Sequence, residues 1–312
     1  MDDVTLTLTR PAGAQAPTLR RIVGVLARAV RMDGQAVVRL RVVADDRTDL
    51  FISTPLGCIV SQRIAARPVG ASGPGAERGR SGVLGGDTTD GAVVMADRVL
   101  AAVDRALVTA TDPSVTATDP SVTATDPSAT ATDPSATATA TDTPPTADAA
   151  AVGTPDAPGA PAGWSDPTTG TAPTADVLTL GPRVDILWTG SPPPVSGFTV
   201  VETVPGAAVR ELYAGMSAES REHSGPAGVA RSLLDQEVLT LDSPATGPVA
   251  VEGRVIAAMG ALGLATEPAA EALRVHDRVR VSVTGSWIRI DGLFGTAFAP
   301  RPGGLARIPQ PR

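Results

Sequence analysis

Leu50–Arg63 reads LFISTPLGCIVSQR, and Ile288–Arg301 reads IRIDGLFGTAFAPR. Laid side by side, they put Gly57 opposite Gly295 and Arg63 opposite Arg301. Each opens on an apolar run, turns at glycine and returns through a second run, as a β-hairpin does. The residues ahead of them correspond too, VRLRVV at Val38–Val43 with VRVSVT at Val279–Thr284. In the first of these, alternation places Val38, Leu40 and Val42 inward and Arg39 and Arg41 outward. Each end of the chain therefore carries three consecutive strands.

Working outward, each trio is preceded by a strand and a helix. VTLTLT (Val4–Thr9) alternates like a half-buried strand, and TLRRIVGVLARAVR follows with Leu19, Ile22, Val23, Leu26 and Val30 on one helical face. Thr18 is the expected N-cap. Near the other end, EVLTLD plays the part of VTLTLT, and a helix from Val251 is expected to bury Val251, Val255, Met259 and Leu262. Two further strand–helix pairs lie between: AVVMADRVLAAVDRAL, buried through Val99, Leu100, Val103 and Leu107, and GFTVVETVPGAAVRELYAGM, buried through Val209, Leu212, Tyr213 and Met216. The expected fold class is α+β, with two small modules of strand–helix–three-strand type related by internal duplication.

The modules are separated by a stretch of different character. TDPSVTA TDPSVTA TDPSATA TDPSATA runs without a gap from Thr111 to Ala138. From Thr109 to about Ala175 nearly every residue is Thr, Ala, Pro, Asp, Ser or Gly. Such composition has too little apolar surface to offset its ordering entropy, and its prolines interrupt any helix. The expected division is an N-terminal module over 1–108, a disordered repeat linker over 109–175 and a C-terminal module over 176–312. As a flexible coil the linker would hold its ends roughly 45 Å apart. The repeats also create Thr-Ala-Thr-Asp at Thr116, Thr123 and Thr130, similar to the phosphothreonine ligands of forkhead-associated domains. A passive spacer explains the same spacing. A second loose loop, rich in glycine, is expected over Gly70–Gly91.

Composition narrows the chemistry. All 26 basic residues are arginine, yet 33 acidic ones leave a net charge of −7, which argues against a nucleic-acid binder over the whole chain. Cys58 is the single cysteine, so no intramolecular disulfide or multi-cysteine metal site forms, and His223 and His276 lie far from metal-ligand spacing. No cofactor and no metal is expected. No apolar run is long enough to span a bilayer, so the expectation is a cytoplasmic protein with no membrane partner. GGDTTDG and GASGPGAERGRSG lack the lysine of a phosphate-binding loop. Cys58 reads as a small buried strand residue, Arg221-Glu222-His223 as a solvated helix end, and Asp235 with Glu237 as the polar entry to a strand.

Two resemblances follow. VVRLRV, PLGCIVSQR, TVVETVPGAAVREL, LLDQEVLTL and GSWIRIDGLFGTAFAPR together resemble an uncharacterised family of actinobacterial two-module proteins, which implies no catalytic residues. The order of units is similar to the repeated βαβββ motifs of DNA sliding clamps. That resemblance implies helices around a central hole with basic outer faces. Arg20, Arg21, Arg28 and Arg31 on the polar side of the first helix fit it. The helix after Pro205 departs from it, with Glu211, Glu219 and Glu222 beside Arg210 and Arg221.

Three of the eight aromatic residues, Trp287, Phe294 and Phe298, gather in SWIRIDGLFGTAF. Alternation puts Trp287, Arg289 and Asp291 on one face and Ile288 and Ile290 on the other. With the isoleucines in the core, Trp287 is expected partly exposed beside Arg289, a candidate partner-contact patch. The function expected is non-catalytic interaction or scaffolding with a protein partner. The alternatives are a clamp-like DNA-associated protein and an enzyme of unrecognised type.

Overall fold

A computed structural model describes residues 3–69, 90–111, 176–188, 190–223 and 231–301. The repeat tract and most of the glycine-rich loop lie outside the described residues. The architecture is α+β and falls into two modules of strands and helices.

In the N-terminal module, β1 (Asp3–Leu8) leads through a short 3-10 turn into α1 (Ala16–Met32), then β2 (Val37–Ala44), β3 (Arg47–Ser53), β4 (Ile59–Ile64), β5 (Ala66–Pro68), β6 (Val93–Met95) and α2 (Ala96–Thr111). β7 (Val177–Pro182) resumes the chain. The C-terminal module holds β8 (Thr199–Pro205), α3 (Gly206–His223), α4 (Arg231–Asp235), β9 (Glu237–Ser243), β10 (Gly247–Glu252), α5 (Gly253–Ala261), α6 (Glu271–Arg274), β11 (Arg278–Val283), β12 (Trp287–Gly292) and β13 (Gly295–Pro300).

Eight strands make one antiparallel sheet in the order β6-β2-β3-β4-β13-β12-β11-β8. The two expected trios are β2-β3-β4 and β11-β12-β13, and they join edge to edge where β4 pairs with β13. Each trio is flanked by the strand that starts a second helix, β6 before α2 and β8 before α3. Smaller sheets of β5-β1-β7 and β10-β9 complete the modules. The equivalences follow from these neighbours: β1-α1-β2-β3-β4 matches β10-α5-β11-β12-β13, and β6-α2-β7 matches β8-α3-β9. The two halves occur in opposite order along the chain.

Two local expectations are corrected. Thr18 does not cap α1; the helix starts at Ala16 after Gln15, with Pro17 in its first turn. Proline's fixed φ is ready for the helix, and its missing N–H costs nothing there. Val251 is a strand residue of β10 opposite Leu239, and α5 starts only at Gly253. The strand equivalent to β1 is therefore β10, not the EVLTLD strand β9. Val251 and Val255 share a spacing of four, which suits a helix and also suits a buried strand running into one.

The face of the large sheet toward the helices is aliphatic. Val38, Leu40, Leu50, Ile52, Val60, Ile64, Ile288, Ile290, Val279 and Val281 are all buried there with Leu19, Ile22 and Leu26 of α1 and Ile256 and Met259 of α5. The opposite, outer face carries a second cluster: Val37, Phe51, Ile59, Val93, Trp188, Trp287 and Phe298. Two stretches, 183–188 and 190–198, lie across it as a strap. Val184 N–H donates to the Val93 carbonyl at 2.8 Å, and Asp185 accepts from Val93 N–H at 2.8 Å, so the strap also covers the β6 edge.

Candidate functional site

β4 and β13 pair through three residues, Ile59 to Ser61 against Phe298 to Thr296. The ladder ends at Ser61 and Thr296. In the splay lies a cavity of about 260 Å³, lined among others by Arg21, Arg41, Arg63, Arg289, Gln62 and Thr296.

Strand register aligns the charges. Arg41 of β2 stands opposite Asp49 of β3, and Asp49 opposite Arg63 of β4. Asp49 takes Arg63 in a fork, with Nε donating to Oδ1 at 2.6 Å and Nη2 to Oδ2 at 3.0 Å. That pairing holds the Arg63 guanidinium above its usual pKa, the hydrogen bond being the main cause. Arg41 instead lies 4.5 Å from the Phe51 ring centre and donates from Nη2 to the Pro193 carbonyl at 2.6 Å. Burial pulls the Arg41 pKa below its usual value, offset in part by Asp49 and Asp90. Across the seam, Asp291 accepts from Arg289 Nε at 2.8 Å, from Arg280 Nη2 at 3.0 Å and from the Thr296 hydroxyl at 2.8 Å.

Gln62 ties the pocket together. Its side chain is buried, its Oε1 accepts from Arg21 Nε at 3.1 Å, and its Nε2 donates to the Phe294 carbonyl at 2.9 Å. One amide thus links α1, β4 and the β12–β13 hairpin. Burial also lowers the pKa of Arg21. Gly295 sits against this amide: a methyl there would meet the Gln62 side chain and come within 2.8 Å of Leu264.

The candidates expected from sequence divide as follows. Trp287 is 3% exposed, not partly exposed; the strap brings Trp188 and Phe198 over this face and encloses it. Arg289 and Asp291 remain half-buried beside it, and Arg289 lies 5.6 Å from the Phe198 ring centre. Arg20 and Arg31 are exposed on α1. Arg21 turns into the pocket, and Arg28 reaches the C-terminal module, donating to the Leu262 carbonyl at 3.1 Å. One member of each expected group, Arg21 and Arg289, therefore lines the same cavity. Arg41 and Arg63, although outward on their strands, were not expected to join them.

Other chemically suggestive residues lie elsewhere. Cys58 is buried with its thiol pushed up to about 12, by burial first, with Arg254 lowering it and Glu252 raising it. Asp235 forms an ion pair with Arg254, while Arg254 Nε lies 2.7 Å from a Glu252 oxygen, out of line for a hydrogen bond. Burial, and then the charge of Glu237, raises the Glu252 pKa. Among the described residues, no group of three or more His, Cys, Asp or Glu side chains is placed to hold a metal ion. No helix among them is long and apolar enough to cross a membrane.

Comparison with known proteins matches residues 193–304 to a domain of unknown function, DUF8185. No curated protein matches. Among solved structures, the chain is similar to the DNA polymerase III subunit beta of Pseudomonas aeruginosa, at 10% identity and TM-score 0.39 over 91% of this chain and 63% of that one. It is also similar to the pol III beta of Caulobacter crescentus, at 11% identity and TM-score 0.41 over 98% of this chain and 66% of that one. The chain thus spans just under two thirds of the length of these structures.

Proposed function

We propose that the protein is a non-catalytic cytoplasmic interaction or scaffold protein that holds a protein partner on the outer face of the eight-stranded sheet. One observation carries this: Arg21, Arg41, Arg63 and Arg289, from four different elements, line a single open cavity beside an aromatic cluster. Arginine at the rim of a packed aromatic surface is the residue pairing found at interface hot spots. The test is a pull-down from native lysate with the full-length protein, a version lacking Asp112–Ala147, and an Arg41→Ala/Arg289→Ala version. A partner kept by the deletion and lost with the double substitution supports the outer face. A partner lost with the deletion and kept by the double substitution overturns it and makes the repeat a docking tract.

A second reading, association with duplex DNA along α1, draws on Arg20 and Arg31, which stay exposed on one stripe of that helix. It requires duplex binding at low salt that falls when Arg20 and Arg31 are replaced together. Absence of binding by the unmodified protein ends it.

A further inference from the structure

We infer that the cavity between β4 and the β12–β13 hairpin is a phosphate site, which takes the dianionic phosphate monoester group of its ligand between Arg21 and Arg41. This rests on the outer face being a binding surface and narrows it to one chemistry.

The charge account of the lining points there. Arg63 is matched by Asp49, whose two oxygens are both engaged in the fork. Arg289 pairs with Asp291, which it shares with Arg280. Arg21 and Arg41 have no carboxylate within 4.0 Å among the described residues. Their hydrogen-bond partners are neutral, the Gln62 side-chain oxygen and the Pro193 carbonyl. Two guanidiniums are thus half-buried toward one cavity with no carboxylate in direct contact; burial weakens the hold of both on their protons, and Asp49 and Asp90 offset only part of it at Arg41. Removing charge from water without a partner is costly, so a bound anion would be favoured there.

Two unmatched positive charges call for a dianion. A phosphate monoester carries about −1.5 to −2 at neutral pH and offers three terminal oxygens, which suits two guanidinium forks. A volume of about 260 Å³ holds a phosphate and a short stem. It is below the roughly 300–1,000 Å³ of drug-sized ligand pockets. A small phosphate ester and a phosphorylated side chain of the protein partner present the same chemistry to the arginines.

The experiment is calorimetric titration of the full-length protein with inorganic phosphate at fixed ionic strength, with succinate as the competing dianion. The expected result is one site per chain for phosphate, weakened about tenfold to a hundredfold in Arg41→Gln and in Arg21→Gln. Arg20→Gln, outside the cavity, should bind as the unmodified protein does. If the pocket variants do not fold, Asp49→Asn carries the test, because it frees Arg63 and should tighten phosphate binding. No phosphate binding by the unmodified protein, equal loss in Arg20→Gln, or succinate bound as tightly as phosphate overturns the site. Phosphatase treatment of the lysate separates the sources: capture lost on treatment places the phosphate on the partner, and capture kept while inorganic phosphate still binds places it on a small ester. Phosphate binding with no captured partner upholds the site and overturns the protein-partner reading. A partner that depends on Arg289 without any phosphate binding does the reverse.

Discussion

The two faces of the eight-stranded sheet are built from the same strands but by different means. Toward the helices, alternate residues are aliphatic except Thr48 and Gln62, and the core crosses the β4–β13 seam through Val60 and Ala297. On the outer face aromatic and charged residues stand beside Val37, Ile59 and Val93, and their cover is one strap rather than a layer of helices. Over β6, β2 and the Trp287 end of β12, the strap supplies Trp188 and Phe198 and encloses a small aromatic core. By Pro194 and Val195 it borders the pocket, and there the outer face becomes rows of arginine and aspartate. A face sealed by helices stabilises the fold; a face half-covered by a strap does that and also leaves charged groups accessible.

The largest expected effect tests whether the outer cluster is a true core. Trp287→Ala should destabilise the protein by about 3–5 kcal/mol, the range for truncating a buried aromatic side chain. Urea unfolding measures it, with Leu40→Ala on the helix side as the reference at about 2–5 kcal/mol. A Trp287→Ala loss within about 0.5 kcal/mol, as for surface positions, would restore the tryptophan to an exposed patch and break the comparison.

On the helix side, the packing is close enough to exclude a methyl. Gly260 of α5 faces the Tyr213 ring of α3, and a Cβ at that position would overlap the ring. Gly260→Ala should therefore cost about 1–3 kcal/mol by overpacking, despite alanine's better helix propensity. Gly215→Ala on α3, where a Cβ meets nothing within 4 Å, should be neutral or stabilising in the same unfolding assay.

Cys58 reports how dry the helix-side core is. Its thiol titrates near 12 in the folded protein against 9.0 as an ordinary thiol. The folded state thus keeps a proton that the unfolded state loses. The resulting stability is fully present below pH 9 and falls as pH rises toward 12, by at most about 1.4 kcal/mol per pH unit. Measured between pH 9 and 11, the unmodified protein should lose stability relative to Cys58→Ala. Parallel pH curves would place the thiol in contact with water.

Much of the fold was legible because period-two alternation survives in VRLRVV, VRVSVT and the two aligned stretches, and α1 shows a clear apolar stripe. Alternation says that a strand has two faces. It does not say that both are covered, which is why Trp287 was expected at the surface. The missing cover is the strap, whose aromatic anchors Trp188 and Phe198 flank a Pro-, Gly- and Ser-rich stretch with no periodicity. β10 was hidden differently: Gly247 and Pro248 look like a turn, and Val251 is in step with the helix after it. At the pocket, the outward direction of Arg39 and Arg41 could be read locally. The meeting of Arg41 with Arg289 at the pocket depends on β4 pairing β13, a contact between residues more than 230 apart in sequence, such as Ser61 and Thr296. No local pattern encodes it. Gln62 gives no signal in sequence either; a lone glutamine in a strand is read as surface, and only the seam makes it a buried link.

The smallest effect is the most discriminating for the outer face. The Arg63 side chain is 54% exposed and its partner Asp49 only 13%, so the pair is half in water. Such pairs contribute about 0–1 kcal/mol, because solvent screens the attraction and ordering the arginine costs entropy. Asp49→Asn keeps the volume and one acceptor oxygen and removes the charge, so a loss of about 0.5 kcal/mol is expected. The same change leaves Arg63 unmatched beside Arg41. If the outer face exists mainly for stability, unfolding and phosphate affinity should fall together. If it is a binding face, stability should dip slightly while phosphate binding tightens, because the carboxylate that competed for the arginines is gone. Opposite signs in the two measurements separate a surface arranged for folding from one arranged for an anion.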